Sequence, residues 1–170
     1  MKPQELIDYN RKLANRKEKL VAIIDGALWP EALDEMRDLE IDHHCLFTGD
    51  YDVNIQCKFP HIFEVDSNDF SKSYLSRMSA KFGVLIKLPS EYPLAKSRRA
   101  LKKFLTAELP SGEKVIFRFY DPRVLKQFSQ HFTPEQKKDL FSEVSAYYYA
   151  ENERVRRYTA EKDEPSAVKI

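Results

Sequence analysis

The chain has 170 residues, 42% of them hydrophobic, with 28 basic against 27 acidic side chains and a formal net charge of +1. This length and apolar content suit one domain that buries its own core, and they argue against whole-chain disorder. The balanced charge argues against a protein that grips nucleic acid by neutralising phosphates, and two cysteines, Cys45 and Cys57, do not make a disulfide scaffold.

Residues 1–20 are charged and lack the apolar stretch of a signal peptide, and no apolar run approaches the roughly 20 residues of a membrane span. A reduced, cytoplasmic protein is expected. Residues 4–19 predict a helix with Leu6, Tyr9 or Asn10, and Leu13 on one weak apolar stripe. The continuous run Leu20-Val21-Ala22-Ile23-Ile24 suits a strand buried on both faces, released into a turn by Asp25-Gly26. Pro30 opens a helix through 40, with Leu33, Met36 and Leu39 at helical spacing. Residues 44–47 predict a short strand, 51–58 fit strand or helix, and 61–65 predict a strand after Pro60. A helix follows over 68–80, capped by Ser67 or Asn68, then a strand over 84–88 and a basic helix over 94–105.

Residues 106–109 and 114–120 flank Pro110-Ser111-Gly112-Glu113, a hairpin signal. Asp121-Pro122 opens a helix to about 128, the Asp supplying the cap and the Pro the first helical φ. Thr133-Pro134-Glu135-Gln136 is a capping box. A Tyr-rich strand is predicted over 144–150. The organisation is thus an N-terminal helix in 1–19, an α/β domain over 20–152 with a mixed sheet flanked by helices, and a charged, disordered tail over 153–170.

Few residues suggest chemistry. His43-His44-Cys45 with Cys57 and His61 is a poor metal set, because adjacent strand residues point to opposite faces. Cys45 as a nucleophile would need a lowered thiol pKa, and a buried strand cysteine is the plainer expectation. Only four glycines exist, at 26, 49, 83 and 112, so no phosphate-cradling loop is present. Asp25 stands at the end of a buried strand, where α/β enzymes keep carboxylates, but the plainer reading is that it caps a turn or pairs with an arginine. No catalytic residue, metal or cofactor is expected. The sharpest segment is Phe117-Arg118-Phe119-Tyr120-Asp121-Pro122-Arg123-Val124-Leu125. In a strand, Arg118 and Tyr120 would share one face. Arg123 in the first turn of a helix opposes the dipole, which implies an acidic partner such as Asp25 or Asp121.

Taken in order, Val21-Ala22-Ile23-Ile24-Asp25-Gly26-Ala27, Phe82-Gly83-Val84-Leu85, Leu101-Lys102-Lys103-Phe104-Leu105, the stretch Phe117–Leu125, Thr133-Pro134-Glu135-Gln136 and Leu140-Phe141 resemble the adaptor or chaperone proteins of bacterial type VI secretion. That family was first catalogued as a domain of unknown function. The likeness covers about residues 20–152. It departs at Phe59-Pro60, where Gly-Pro is usual, and at Phe82, where the family has Trp. Many members carry a further helical lobe, for which the few residues after Glu153 leave no room. The resemblance implies a non-catalytic protein that holds a secreted effector and joins it to the VgrG spike.

Gripping a polypeptide in a groove or at a sheet edge would draw on aromatic and arginine anchors. The candidates are Trp29, Arg118, Tyr120, Arg123, Tyr147, Tyr148 and Tyr149, with Asp25, Gly26, Asp121 and Pro122 as the structural motif. The acidic helix near 31–40 and the basic helix near 96–103 would steer charged partners. Two other readings are a small hydrolase using Asp25 and a nucleic-acid binder working through the 96–103 face.

Overall fold

The computed structural model describes residues 3–151, 154–161 and 163–165. Alternation along the central apolar run sets the layers. In β1 (Glu18–Asp25), Leu20, Ala22 and Ile24 enter one core cluster while Val21 and Ile23 enter another on the opposite face. Around it the chain runs α1 (Pro3–Ala14) before β1, then α2 (Ala32–Asp38), β2 (His43–Cys45), α3 (Val53–Gln56), β3 (Pro60–Glu64), α4 (Asp69–Arg77) and β4 (Val84–Pro89). There follow α5 (Leu94–Lys102), β5 (Thr106–Glu108), β6 (Lys114–Ile116), α6 (Pro122–Ser129), α7 (Pro134–Leu140), β7 (Ala146–Glu151), β8 (Arg154–Tyr158) and β9 (Asp163–Pro165).

Seven strands form one sheet in the order β2-β3-β1-β4-β7-β8-β9, and β5 with β6 forms a separate hairpin. The α/β architecture with helices on both faces is the predicted one. Every pairing is antiparallel, where parallel pairs were also expected. The helical connections through α2 and α4 join β1 to β2 and β3 to β4, which run parallel but are separated by an antiparallel strand, so the crossovers leave no adjacent parallel pair.

One face of the sheet is covered by residues of α1, α2 and α4, among them Leu6, Leu13, Met36, Phe70 and Leu75. The other is covered by α5, α6 and α7 through Leu94, Leu101, Leu125 and Leu140. The N-terminal helix therefore belongs to the main core. It ends at Ala14, short of residue 19, because Arg16 and Lys17 close a turn onto Leu13 and Ala14 and Lys17 takes a positive φ of 57°. β1 can then start at Glu18, opposite Pro89. The ambiguous 51–58 segment forms the single-turn helix α3.

The largest correction concerns the tail. Residues 154–158 and 163–165 are strands, with Val155 and Tyr158 buried in opposite layers. Residues 152–153, 162 and 166–170 lie outside the described residues. β8 converts β7 from an edge into an inner strand, which is why the Tyr triplet is wholly buried. Tyr148 enters the first core and meets the Tyr9 hydroxyl at 2.8 Å, while Tyr147 and Tyr149 enter the second. No helix among the described residues is long and apolar enough to cross a membrane.

Gly26 is set by close approach. A Cβ there would lie 2.0 Å from the Cys57 carbonyl oxygen and 2.6 Å from that of Phe59. Both obstacles are backbone, so neither can swing aside. Gly26→Ala is expected to cost about 3 kcal/mol, the upper end of overpacking penalties, read as a lowered urea midpoint. An unchanged midpoint would show that the corner yields freely.

Candidate functional site

The carboxyl-terminal end of β1 delivers Asp25 to the face covered by α6. Its Oδ1 accepts from the Ala27 N–H at 3.1 Å, and its Oδ2 accepts from Arg118 Nη2. Backbone N–H groups of Leu28 and Trp29 turn back onto the Asp25 carbonyl, so the carboxylate sits at a closed corner. Asp121 caps α6, accepting from the Arg123 N–H at 2.9 Å. The Arg123 side chain then folds back on the same carboxylate, donating from Nε at 3.0 Å and from Nη2 at 2.7 Å. Arg118 Nη2 also lies 3.9 Å from Asp121. The four residues form the chain Asp25–Arg118–Asp121–Arg123.

The acids are buried and the bases are not: side-chain exposure is 6% for Asp25 and 3% for Asp121, against 40% for Arg118 and 54% for Arg123. Burial alone would raise the Asp121 pKa, but the Arg123 hydrogen bonds and charge hold it below its ordinary value. Burial alone would lower Arg118, but the Asp25 charge and hydrogen bond raise it on balance. Burial, and then the Asp25 charge, raise the Tyr120 phenol. Both arginines are thus fixed cations, each held from behind by a buried anion with part of its guanidinium left to solvent. This arrangement positions two charged forks on a rigid corner and resolves the dipole problem of Arg123 through Asp121.

Residues 117–120 do not continue the strand. β6 stops at Ile116, and the Asp121 N–H closes a turn on the Arg118 carbonyl at 2.9 Å. Arg118 is drawn to Asp25 instead of sharing a strand face with Tyr120. Tyr120 itself is buried, as is Phe119.

The predicted anchors divide accordingly. Arg118 and Arg123 are brought together at the surface with Asp25 and Asp121 beneath them, and Pro122 occupies the first turn of α6. Trp29 is 3% exposed, stacked on Phe70 at 5.4 Å, with its Nε1–H donating to Glu35 at 3.1 Å. Trp29, Tyr147, Tyr148 and Tyr149 are core residues and offer no free surface. The tyrosines are claimed by packing on both sides of β7. Trp29 is held between the Asp25–Gly26 corner and α4, where Arg77 lies 4.0 Å over its ring.

The sequence reading missed an aromatic groove between the hairpin and α7. Phe117, Phe128 and Phe132 meet there with ring centroids 5.2–5.9 Å apart. The i, i+4 spacing of Phe128 and Phe132 was its only advance signal.

Among the described residues no group of three or more His, Cys, Asp or Glu could hold a metal. Burial pushes the Cys45 thiol up, away from a reactive thiolate. His61 is buried, with Nε2 at 3.0 Å from the Gln56 carbonyl, so Nε2 carries the proton, and Nδ1 has no hydrogen-bond partner. Burial pushes its pKa below 6.5, countered by the Gln56 carbonyl and helped by His43 and Arg37.

These two groups give stability separate acid limbs. The unfolded chain protonates its histidine before folded His61 does, so stability is full above pH 6.5 and falls as pH drops below it. The depressed Asp121 contributes fully above its ordinary value of 3.8, and that contribution is lost as pH falls through its folded pKa. His61→Gln should flatten the urea midpoint between about pH 5 and 7. Asp121→Asn keeps a capping oxygen but removes the charge facing Arg118 and Arg123, and should lower stability by about 1 kcal/mol at neutral pH and flatten the limb below pH 4. A midpoint-versus-pH curve identical to the parent in either variant would contradict the assignment.

No curated protein and no solved structure matches the chain. The family described as "Domain of unknown function (DUF4123)" matches residues 20–139, from the start of the central apolar run into the last turn of α7. That span holds all four members of the ion-pair chain, and with more than half the sequence matched, the protein belongs to the DUF4123 family.

Proposed function

We propose that the protein is a cytoplasmic adaptor or chaperone that holds a type VI secretion effector and loads it onto the VgrG spike, without catalysing a reaction. The observation that carries this reading is the family membership over residues 20–139, a family linked in general to such adaptors. The use of its most distinctive stretch agrees. Phe117–Leu125 supplies a core aromatic, a helix cap and two tethered arginines, an arrangement suited to presenting a rigid surface.

The two alternatives fit less well. A hydrolase using Asp25 would need a carboxylate free to activate water, and both Asp25 oxygens are engaged by Ala27 and Arg118. A nucleic-acid binder using α5 would need free cations. Arg98 donates to the Cys45 and Phe47 carbonyls, Lys102 to Thr48, and Lys103 to Ser142 and Glu143, which leaves only Lys96, lying over the Tyr92 ring, and Arg99 of the five cations without a side-chain hydrogen bond among the described residues.

Affinity-tagged protein, expressed beside a candidate effector and the matching VgrG, is expected to retain both through size-exclusion chromatography. Recovery of the protein alone, with both candidates expressed and folded, would sink the adaptor reading.

A further inference from the structure

The hairpin of β5 and β6 stands outside the main sheet, and its closing turn fixes where each backbone group points. The Leu109 N–H donates to the Glu113 carbonyl at 2.9 Å and the Gly112 N–H to the Leu109 carbonyl at 2.8 Å, with Gly112 at φ +84°. This is a bulged turn in which Leu109 opposes Glu113 as a bonded pair. Bonded and non-bonded pairs alternate in an antiparallel ladder. Bonded pairs therefore recur at Ala107↔Val115 and at Leu105↔Phe117, the last visible as the Phe117 N–H donating to the Leu105 carbonyl at 2.8 Å. The intervening pairs, Thr106↔Ile116 and Glu108↔Lys114, turn their N–H and C=O groups outward. Among the described residues nothing pairs with the outward groups of Thr106 and Glu108.

This unpaired edge borders a groove of about 380 Å³ lined by Thr106, Ala107 and Glu108. Phe104, Phe117, Phe132 and Leu140 supply its apolar wall. Its charges are not balanced. Glu108 on the hairpin and Asp139 on α7 make no salt bridge among the described residues, Lys114 facing Glu108 across the ladder, whereas Lys103 on the rim is held by Glu143 at 2.8 Å.

We propose that the β5 edge takes up an extended segment of a partner protein as a third strand. One groove-facing side chain of that segment is apolar and meets the phenylalanines; the next, two residues along, is a lysine or arginine between Glu108 and Asp139. Two outward backbone sets two residues apart, about 7 Å, match alternate residues of an extended peptide. The apolar wall and the two unpaired carboxylates specify its side chains. A second copy of β5 is disfavoured as occupant because it would bring another Glu108 to an already acidic groove. The inference builds on the protein-binding reading but does not depend on which partner supplies the strand.

The test uses the full chain, ¹⁵N-labelled, and two capped hexapeptides, TVTKTT, which sets a valine and a lysine two residues apart on one face, and its acidic counterpart TVTETT. The basic peptide should slow hydrogen exchange at the Thr106 and Glu108 amides, and the acidic one should bind at least tenfold more weakly. Thr106→Pro removes an outward donor without touching the bonded pairs, and should weaken binding at least tenfold while the Leu109 and Phe117 amides stay protected. Asp139→Lys, on the exposed side of α7, should do the same and keeps the test decisive if the proline variant loses its hairpin. The proposal is overturned if neither amide responds at millimolar peptide, if both peptides bind equally, if Asp139→Lys changes nothing, or if Thr106 is already protected in a self-paired dimer. Peptide binding with no capture of effector or spike would count against the adaptor reading alone; capture with no peptide binding would count against this edge alone.

Discussion

The structure depends on β1 being confined on every side. It is bonded to β3 along one edge and β4 along the other, and both of its faces are dry. A strand so enclosed has no freedom of register, because a slip of one residue would exchange its two apolar sets between layers. Asp25, its last residue, is therefore buried and firmly placed. Tyr74 adds to that fixity by placing its hydroxyl between the carbonyls of Ile23 and Val84, at 2.9 and 3.1 Å, bridging β1 and β4.

A carboxylate fixed in this way needs a partner, since an unpaired buried charge is costly. Arg118 meets that need from a segment 93 residues later in the chain. The same guanidinium reaches toward Asp121, so the position of α6 is referred back to the end of β1. The half-exposed arginines limit what the pairs add to stability, because solvent screens them. Their larger effect is on direction: they set where α6 starts and how its first turn faces. A surface meant to be recognised gains from such rigidity, since less side-chain freedom is lost on contact.

Local signals in the sequence were the legible ones. The central apolar run, the Asn68 and Asp121 caps, the capping box at Thr133 and the Pro110–Glu113 hairpin each depend on neighbours within a few residues, and each appears where read. The failures share a cause in distant partners. Arg154-Val155-Arg156-Arg157-Tyr158 carries too much charge to announce a strand, and it becomes one by pairing with β7. The tyrosines of β7 looked surplus because the strand that buries their edge had not been recognised. Phe117–Tyr120 alternates like a strand, but Asp25 pulls Arg118 out of line. At the site, the Asp–Arg pairing was readable from charge and helix position. The burial of Trp29 was not, because it depends on Phe70 and Arg77 across the layer.

The ladder between β4 and β7 bears on where this protein can be cut. The matched family segment closes at residue 139, yet the strand sealing the open side of Val84–Lys87 begins at Ala146. A fragment stopping at the family limit would lay bare the backbone of the fourth strand and strip four buried tyrosines, Tyr147, Tyr148, Tyr149 and Tyr158, from the two layers. The exposed ribbon of Val84, Leu85 and Ile86 would then be free to stack against its own kind in cross-β fashion. The shortest unit worth subcloning follows the strand order, and runs past the reach of the sequence signature.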